Sequence, residues 1–301
     1  VILLFLHGTT AIGWTDVELF PRPFHIVAHR CAAGHAPENT LVACQNALAL
    51  GAVELEFDVQ LTRDDEVVLF HDETLQMKTG QPGRVRDHTL GELTTMDVQR
   101  WFVGTHPQIT REFPSAPLAS LRQILAVIGR RASYHIELKS SEEQLPQRVL
   151  QEIDRAGVTG RAMLTSFHPV QLERVRMLAP AVPCTLLVPS PRETRLHDDA
   201  VVLPEALRAQ QRSWIDRGEQ IGCTMVGIAT PDLTREVVEY AHTRGLYIRA
   251  WRVRSDADMN RAIALGTNGM TTDWPDRLIR RQLEYLAGHG VGAAGRQESA
   301  R

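Results

Sequence analysis

Three acids at alternate positions, Glu54, Glu56 and Asp58, stand inside the run Val53-Glu54-Leu55-Glu56-Phe57-Asp58-Val59. In a β-strand alternate side chains share a face, so the acids point one way and Val53, Leu55, Phe57 and Val59 the other. A face made only of acids repels itself unless it meets solvent or a cation. It is therefore either a solvated polar face or one side of a divalent-cation site. The step Glu56-x-Asp58, with a proton-transfer group at His71, has the residue types for the second. His71 follows the return run Val67-Val68-Leu69-Phe70. The stretch between the two runs, Gln60 to Glu66, is shorter than the roughly dozen residues a helical crossover needs. A hairpin is the simple alternative. With its midpoint between Arg63 and Asp64, Asp58 falls opposite Leu69 and Glu56 opposite His71, on a shared face. A slip of one residue undoes that pairing.

The elements that must carry these residues follow from periodicity. Strands are predicted to begin near residues 25, 53, 133, 162, 184, 224, 247 and 269, leaving out the hairpin return. Helical patterns separate them, and several end at glycine, as at Gly51, Gly157, Gly245 and Gly266. Eight β/α units in this length predict a (β/α)8 TIM barrel. An open doubly wound sheet fits less well, because no GxGxxG follows the first strand. Residues 73–117, broken by Gly80, Pro82, Gly83, Gly104, Pro107 and Pro114, read as a small insertion after the second barrel strand and its hairpin. The expected division is one domain over 24–287, an N-terminal lead-in over 1–23 and a disordered tail over 288–301.

Composition narrows the function classes. The 301 residues are 43% hydrophobic and 23% charged, the range of soluble globular proteins. A net charge of −3 offers no basic footprint for nucleic acid or for a membrane surface. Val1 to Leu6 is too short for a transmembrane segment; it is compatible with the end of a trimmed export signal. Cys31, Cys44, Cys184 and Cys223 form no CxxC pair, so free thiols in a reducing cytoplasmic setting are expected, with export as the alternative.

Active sites of such barrels lie at the C-terminal ends of the strands. Residues late in the predicted strands include His29-Arg30, Glu56, Asp58, Glu137, Lys139, Ser166, Arg252 and Asp273, with His71 on the hairpin. Acids serving as ligands without Cys or His favour one hard divalent cation, Mg²⁺ or Ca²⁺. Among the remaining candidates, Glu54 is expected to form a structural ion pair with an arginine. Glu38 is expected to be structural, and His35 lies close enough to the site to reach substrate. Trp251 either walls a substrate pocket or packs, and Asp273 either meets ligand or holds a loop. His88, His106, His197, His242 and His289 read as ordinary surface or loop residues, and His168 as a helix-start residue.

The segments His29-Arg30, Pro37-Glu38-Asn39-Thr40, Glu56-Phe57-Asp58-Val59, Thr62-Arg63-Asp64, His71-Asp72, Ile136-Glu137-Leu138-Lys139 and Thr272-Asp273-Trp274-Pro275 resemble, in order and approximate spacing, the glycerophosphodiester phosphodiesterase family, over about residues 25 to 280. The resemblance implies a (β/α)8 barrel and metal-dependent hydrolysis of small glycerophosphodiesters to an alcohol and glycerol 3-phosphate. It implies Glu56, Asp58 and Glu137 as metal ligands, His29 and His71 as the acid/base pair, and Arg30 and Lys139 near the phosphate. Two departures stand out: Cys31 where the family usually has Gly, and Met77-Lys78-Thr79 where it usually has Arg-Thr-Thr. A lysophospholipase D-like activity is a rival, needing an apolar groove for which Trp101, Phe102 and Phe113 are available. A catalytically inactive barrel kept as a binding or scaffold protein is a rival of another class.

Overall fold

Strand alternation, and the need to bury one face of each strand, account for most of the architecture. A computed structural model describes residues 24–190 and 204–288. Its strands are β1 (His25–Ala28), β2 (Glu54–Leu61), β3 (Val67–Leu69), β4 (Ser133–Leu138), β5 (Ala162–Ser166), β6 (Cys184–Leu187), β7 (Met225–Ala229), β8 (Tyr247–Val253) and β9 (Gly269–Thr272). All but β3 run parallel to their neighbours. The sheet closes because β1 pairs with both β2 and β9. This is the eight-stranded barrel that the periodicity predicts, with helices between strands.

The acidic strand divides as its alternation requires. Leu55, Phe57 and Val59 are fully buried in an apolar cluster with Ala43, Cys44 and Ala47 of helix α1 (Leu41–Ala49). Thr40 caps that helix, its hydroxyl accepting from the Ala43 amide at 3.1 Å. Glu54, Glu56 and Asp58 take the opposite side, inside the barrel, so the solvated-face reading is wrong.

The hairpin exists, but its register differs from the expected one. Val59 faces Leu69, and the Phe70 amide donates to the Asp58 carbonyl at 3.1 Å. The turn centres on Asp64. The Thr62 hydroxyl donates to Asp64 at 2.6 Å and accepts from the Glu66 amide at 3.0 Å, and Asp65 takes a left-handed φ of 58°. These side-chain bonds shift the register by one residue, so His71 is not opposite Glu56. It lies beyond the end of β3.

The inserted segment contains three short α-helices, Gln76–Thr79, Leu90–Leu93 and Gln99–Thr105, and one 3₁₀ turn, Val85–Asp87. Its own core joins Leu75, Val85, Leu93, Val98, Ala116 and Leu118 to Val68 and Phe70 of the hairpin. Phe102 and Phe113 are buried in the main barrel cluster instead, which removes them as walls of an apolar groove. No described helix is long and apolar enough to cross a membrane. The expected lead-in over 1–23, with its export-signal reading, and the expected tail lie outside the described residues, apart from Gly288, which ends the helix Pro275–Gly288.

Candidate active site

At the C-terminal mouth of the barrel a cavity of about 460 Å³ is lined by His29, Arg30, Glu56, His71, Glu137, Lys139 and Trp251, among others. Seven of the eight site residues expected from the sequence thus share one wall system. The eighth, Asp58, is buried directly beneath, paired with Arg30 at 3.4 Å and with Lys139 at 3.8 Å.

Glu56 and Asp58 come from β2 and Glu137 from the neighbouring β4, where Asp58 and Glu137 are register partners. All three are buried, and one carboxylate oxygen from each lies within 4.8 Å of the others. Burial, then the Asp58 charge, push the Glu56 carboxyl up to about 7. Burial also opposes charge at Asp58, but His71, Lys139 and Arg30 outweigh it and hold that group ionised. A set of crowded oxygen donors in which one must otherwise keep its proton is what a hard divalent cation fits.

The two histidines are held alike. His29 follows β1 in a one-turn 3₁₀ helix, His29–Cys31, and donates from Nδ1 to Asp273 at 2.6 Å. His71 donates from Nδ1 to Asp72 at 2.8 Å. A carboxylate can only accept, so in each ring the Nδ1 proton is fixed and Nε2 is the atom left for chemistry. Burial works against charge on His29, but Asp273 more than offsets it and the His29 pKa is raised. Asp273 is correspondingly lowered, His29 and Arg30 outweighing burial.

The loop carrying His29 and Arg30 is unusual. Arg30, Cys31 and Ala32 take left-handed φ values of 46°, 62° and 68°. Such a run disfavours side chains with a Cβ. A disulfide between Cys31 and Cys44, with Cα atoms 4.6 Å apart, ties it to α1. This corrects the expectation of free thiols at those two positions; Cys184 and Cys223 are free and buried. The Arg30 amide donates to Glu56 at 2.8 Å, and Asn39 donates to Asp58 at 2.9 Å while accepting from the Asp58 amide at 3.0 Å. The loop backbone and the acidic strand thus orient one another.

Several functional neighbours were not expected. Lys78, from the stretch Met77-Lys78-Thr79, is buried and donates to Glu38 at 2.6 Å and to Asp72 at 2.7 Å. Glu38 also accepts from Arg30 at 2.9 Å, so it joins the network behind His71 to Arg30. Trp101, already a candidate groove residue, and His106, which stacks on Phe102 with ring centroids 4.4 Å apart, bring the insertion to the cavity wall. Arg249 is almost fully buried yet lines the cavity from below. His35, by contrast, pairs with Asp276 at 2.7 Å and is not among the cavity residues.

Glu54 does not pair with an arginine directly. It accepts from His25 at 2.9 Å and from His135 at 2.8 Å. Arg249 donates to His135 Nδ1 at 2.6 Å, so the His135 proton sits on Nε2 and points at Glu54. Burial foremost lowers the His135 pKa to about 4, while the two histidine bonds outweigh burial at Glu54 and lower it to about 2. The donor atoms of His25, Glu54 and His135 also converge within 4.8 Å. Arg249 occupies the nitrogen that His135 would need to protonate on ligating through Nε2, so this trio reads as a barrel floor, not a metal set.

A family model described as the glycerophosphoryl diester phosphodiesterase family matches residues 29–277. A glycerophosphodiester phosphodiesterase of Bacillus subtilis (strain 168) is 28% identical over 270 residues, covering 86% of this chain and 86% of its own. One from Bacillus altitudinis is 29% identical, covering 85% of this chain and 96% of its own. The crystal structure of a candidate glycerophosphoryl diester phosphodiesterase from Silicibacter pomeroyi DSS-3 superposes with a TM-score of 0.72 at 26% identity, over 88% of this chain and 96% of that one.

Proposed function

The chain belongs to the glycerophosphoryl diester phosphodiesterase family, and from that premise we propose that this enzyme hydrolyses glycerophosphodiesters to an alcohol and glycerol 3-phosphate, using one divalent cation and two histidines. The observation that carries the reading is the matched pair of Nδ1-anchored histidines, on Asp273 and Asp72, beside a three-carboxylate cluster. A phosphodiester is an anion that repels nucleophiles. A divalent cation held by Glu56, Asp58 and Glu137, Mg²⁺ or Ca²⁺ by the all-oxygen donor set, supplies charge neutralisation and polarises the phosphate.

The protein's own groups do the rest. Arg30 and Lys139 line the cavity and present positive charge to the phosphate. One histidine Nε2 takes the proton of the attacking oxygen, and the other returns one to the leaving alkoxide. The attacking oxygen is water or the substrate's own glycerol hydroxyl, the latter passing through a cyclic phosphate. Trp251 meets Phe167 edge to face at 5.5 Å, and the two make the apolar side of the pocket.

Trp101 supports the lysophospholipid alternative, since it brings an indole from the insertion to the same cavity. The disulfide beside the catalytic loop favours an oxidising compartment, hence export, over the cytoplasm. The test is turnover of a panel of glycerophosphodiesters and one lysophospholipid, before and after EDTA, with Mg²⁺ or Ca²⁺ returned. Activity is expected to vanish on chelation, to return with one cation, and to be lost in His29→Ala and His71→Ala. No turnover with any metal would leave the scaffold reading standing, and full activity in either histidine variant would remove the acid/base pair.

A further inference from the structure

Several hydrogen-bonding groups at this cavity are buried without a hydrogen-bond partner among the described residues: Arg249 Nε, Trp251 Nε1, Arg252 Nη1 and Thr271 Oγ1. Three of the four come from β8. Buried polar atoms are almost always satisfied, so a concentration of orphans on one wall marks where a ligand supplies the missing acceptors.

Arg252 stands out among them. Simple alternation along β8 sends Arg249 and Trp251 into the barrel and Ile248, Ala250 and residue 252 outward. The chain does otherwise. Ala250 faces Met270 and Val253 faces Thr272, so three steps on β8 oppose two on β9. This is a bulge, and its residue Arg252 has a left-handed φ of 57°. Val253 packs in the cluster of Ile248 and Ala250, and Arg252 joins Trp251 and Val253 in the cavity lining. A non-glycine residue held in that conformation is disfavoured, and here the distortion turns an arginine into the site.

The other cations of the cavity are already engaged. Arg30 is paired with Glu38 and Asp58, and Lys139 with Glu137 and Asp58. Arg249 is bonded to His135, and Arg254 acts on Asp273. Among the described residues no carboxylate lies within ion-pair distance of Arg252. We propose that Arg252 is a specificity-determining residue that selects glycerophosphodiesters whose alcohol carries a second anionic group, a carboxylate or phosphate, over those with a purely cationic head. The guanidinium offers a fork for a carboxylate or phosphate, and Trp251 Nε1 beside it is a further free donor. An anionic head group supplies acceptors to both, whereas an ammonium head group sets like charge against Arg252.

This inference rests on the phosphodiesterase reading, and the experiment separates the two. Glycerophosphoserine and glycerophosphoethanolamine differ by one carboxylate, so the ratio of their kcat/KM values isolates its recognition. The wild type is expected to favour glycerophosphoserine by about tenfold or more, the range of a charge-assisted hydrogen bond. Arg252→Ala and Arg252→Gly are expected to bring the ratio to near one, and Arg252→Lys to retain part of it. Glycine adopts the left-handed conformation without strain, so its variant guards against misfolding, and taking the ratio within each variant removes any common loss. A wild-type ratio near one, or a preference unchanged in both truncations, overturns the assignment. Absence of turnover on both substrates in the wild type would instead overturn the phosphodiesterase reading.

Discussion

The contact between Asp273 and His29 gives the most direct handle on mechanism. Replacing Asp273 with Asn preserves shape and removes charge. The 2.6 Å bond joins two half-buried side chains at the cavity edge. Hydrogen bonds to a charged group contribute about 1.5–3 kcal/mol. If that difference is expressed in the transition state, kcat/KM falls by about 10- to 150-fold. The pH profile carries a second signature. His29 has a raised pKa because Asp273 overcomes the opposing effects of burial and of Arg30. With the carboxylate gone those opposing effects dominate, so the His29 pKa falls and the limb of the pH–rate profile that it sets moves to lower pH. Steady-state kinetics from pH 5 to 9 on wild type and Asp273→Asn read both effects. A loss smaller than twofold with no movement of either limb would refute the claim that Asp273 orients and charges His29.

Two further outcomes test the frame around the site. His135 is buried neutral with its pKa lowered to about 4, below its unfolded value of 6.5. The unfolded chain therefore binds more protons in that interval, and stability contributed by this group is present above pH 6.5 and lost as pH falls toward 4, by about 3 kcal/mol. His135→Gln, whose amide can donate to Glu54 and accept from Arg249, is expected to flatten that loss in denaturant unfolding at pH 7 and pH 4; parallel curves for the two proteins would remove the floor from the acid response. The Cys31–Cys44 bridge closes a loop across a separation of 13 positions, for which chain entropy gives about 3 kcal/mol. Cys31→Ser with Cys44→Ser is expected to lower unfolding free energy by about that amount and to reduce turnover, while leaving the protein insensitive to dithiothreitol; a wild type equally insensitive would show the bridge to be without effect.

The acids and the barrel were legible because they rest on short-range rules. Period-two alternation set the faces of β2, and helix stops at Gly51 and Gly245 marked the units. Glu137 followed from its place late in β4. What escaped depends on contacts between distant segments or on local side-chain bonding. Thr62 and Asp64 moved the hairpin by one residue, and no strand pattern encodes that. Yet His71 still reaches the site, because its position beyond β3 is held by Asp72 and not by the ladder. Cys31 and Cys44 carried no CxxC signal; they meet only because the loop after β1 folds back on α1. Arg249 stands between apolar neighbours in β8, and its burial beneath the site becomes visible only when the barrel closes over it. Arg252 stood among the late-strand residues, but no strand pattern encodes the bulge at which it sits.

His29 and Asp273 are 244 positions apart, and they meet across the seam where β1 joins β9. That seam closes a loop of nearly the whole chain, a contact whose entropy cost falls late in assembly. Glu56, Asp58 and Glu137 come from the adjacent strands β2 and β4, which share an edge without the seam. A folding chain can therefore gather its three acids before its last strand docks, while His29 remains without its orienting carboxylate. Catalytic competence is then a property of the closed barrel alone, and recovery of activity during refolding reports closure of the seam.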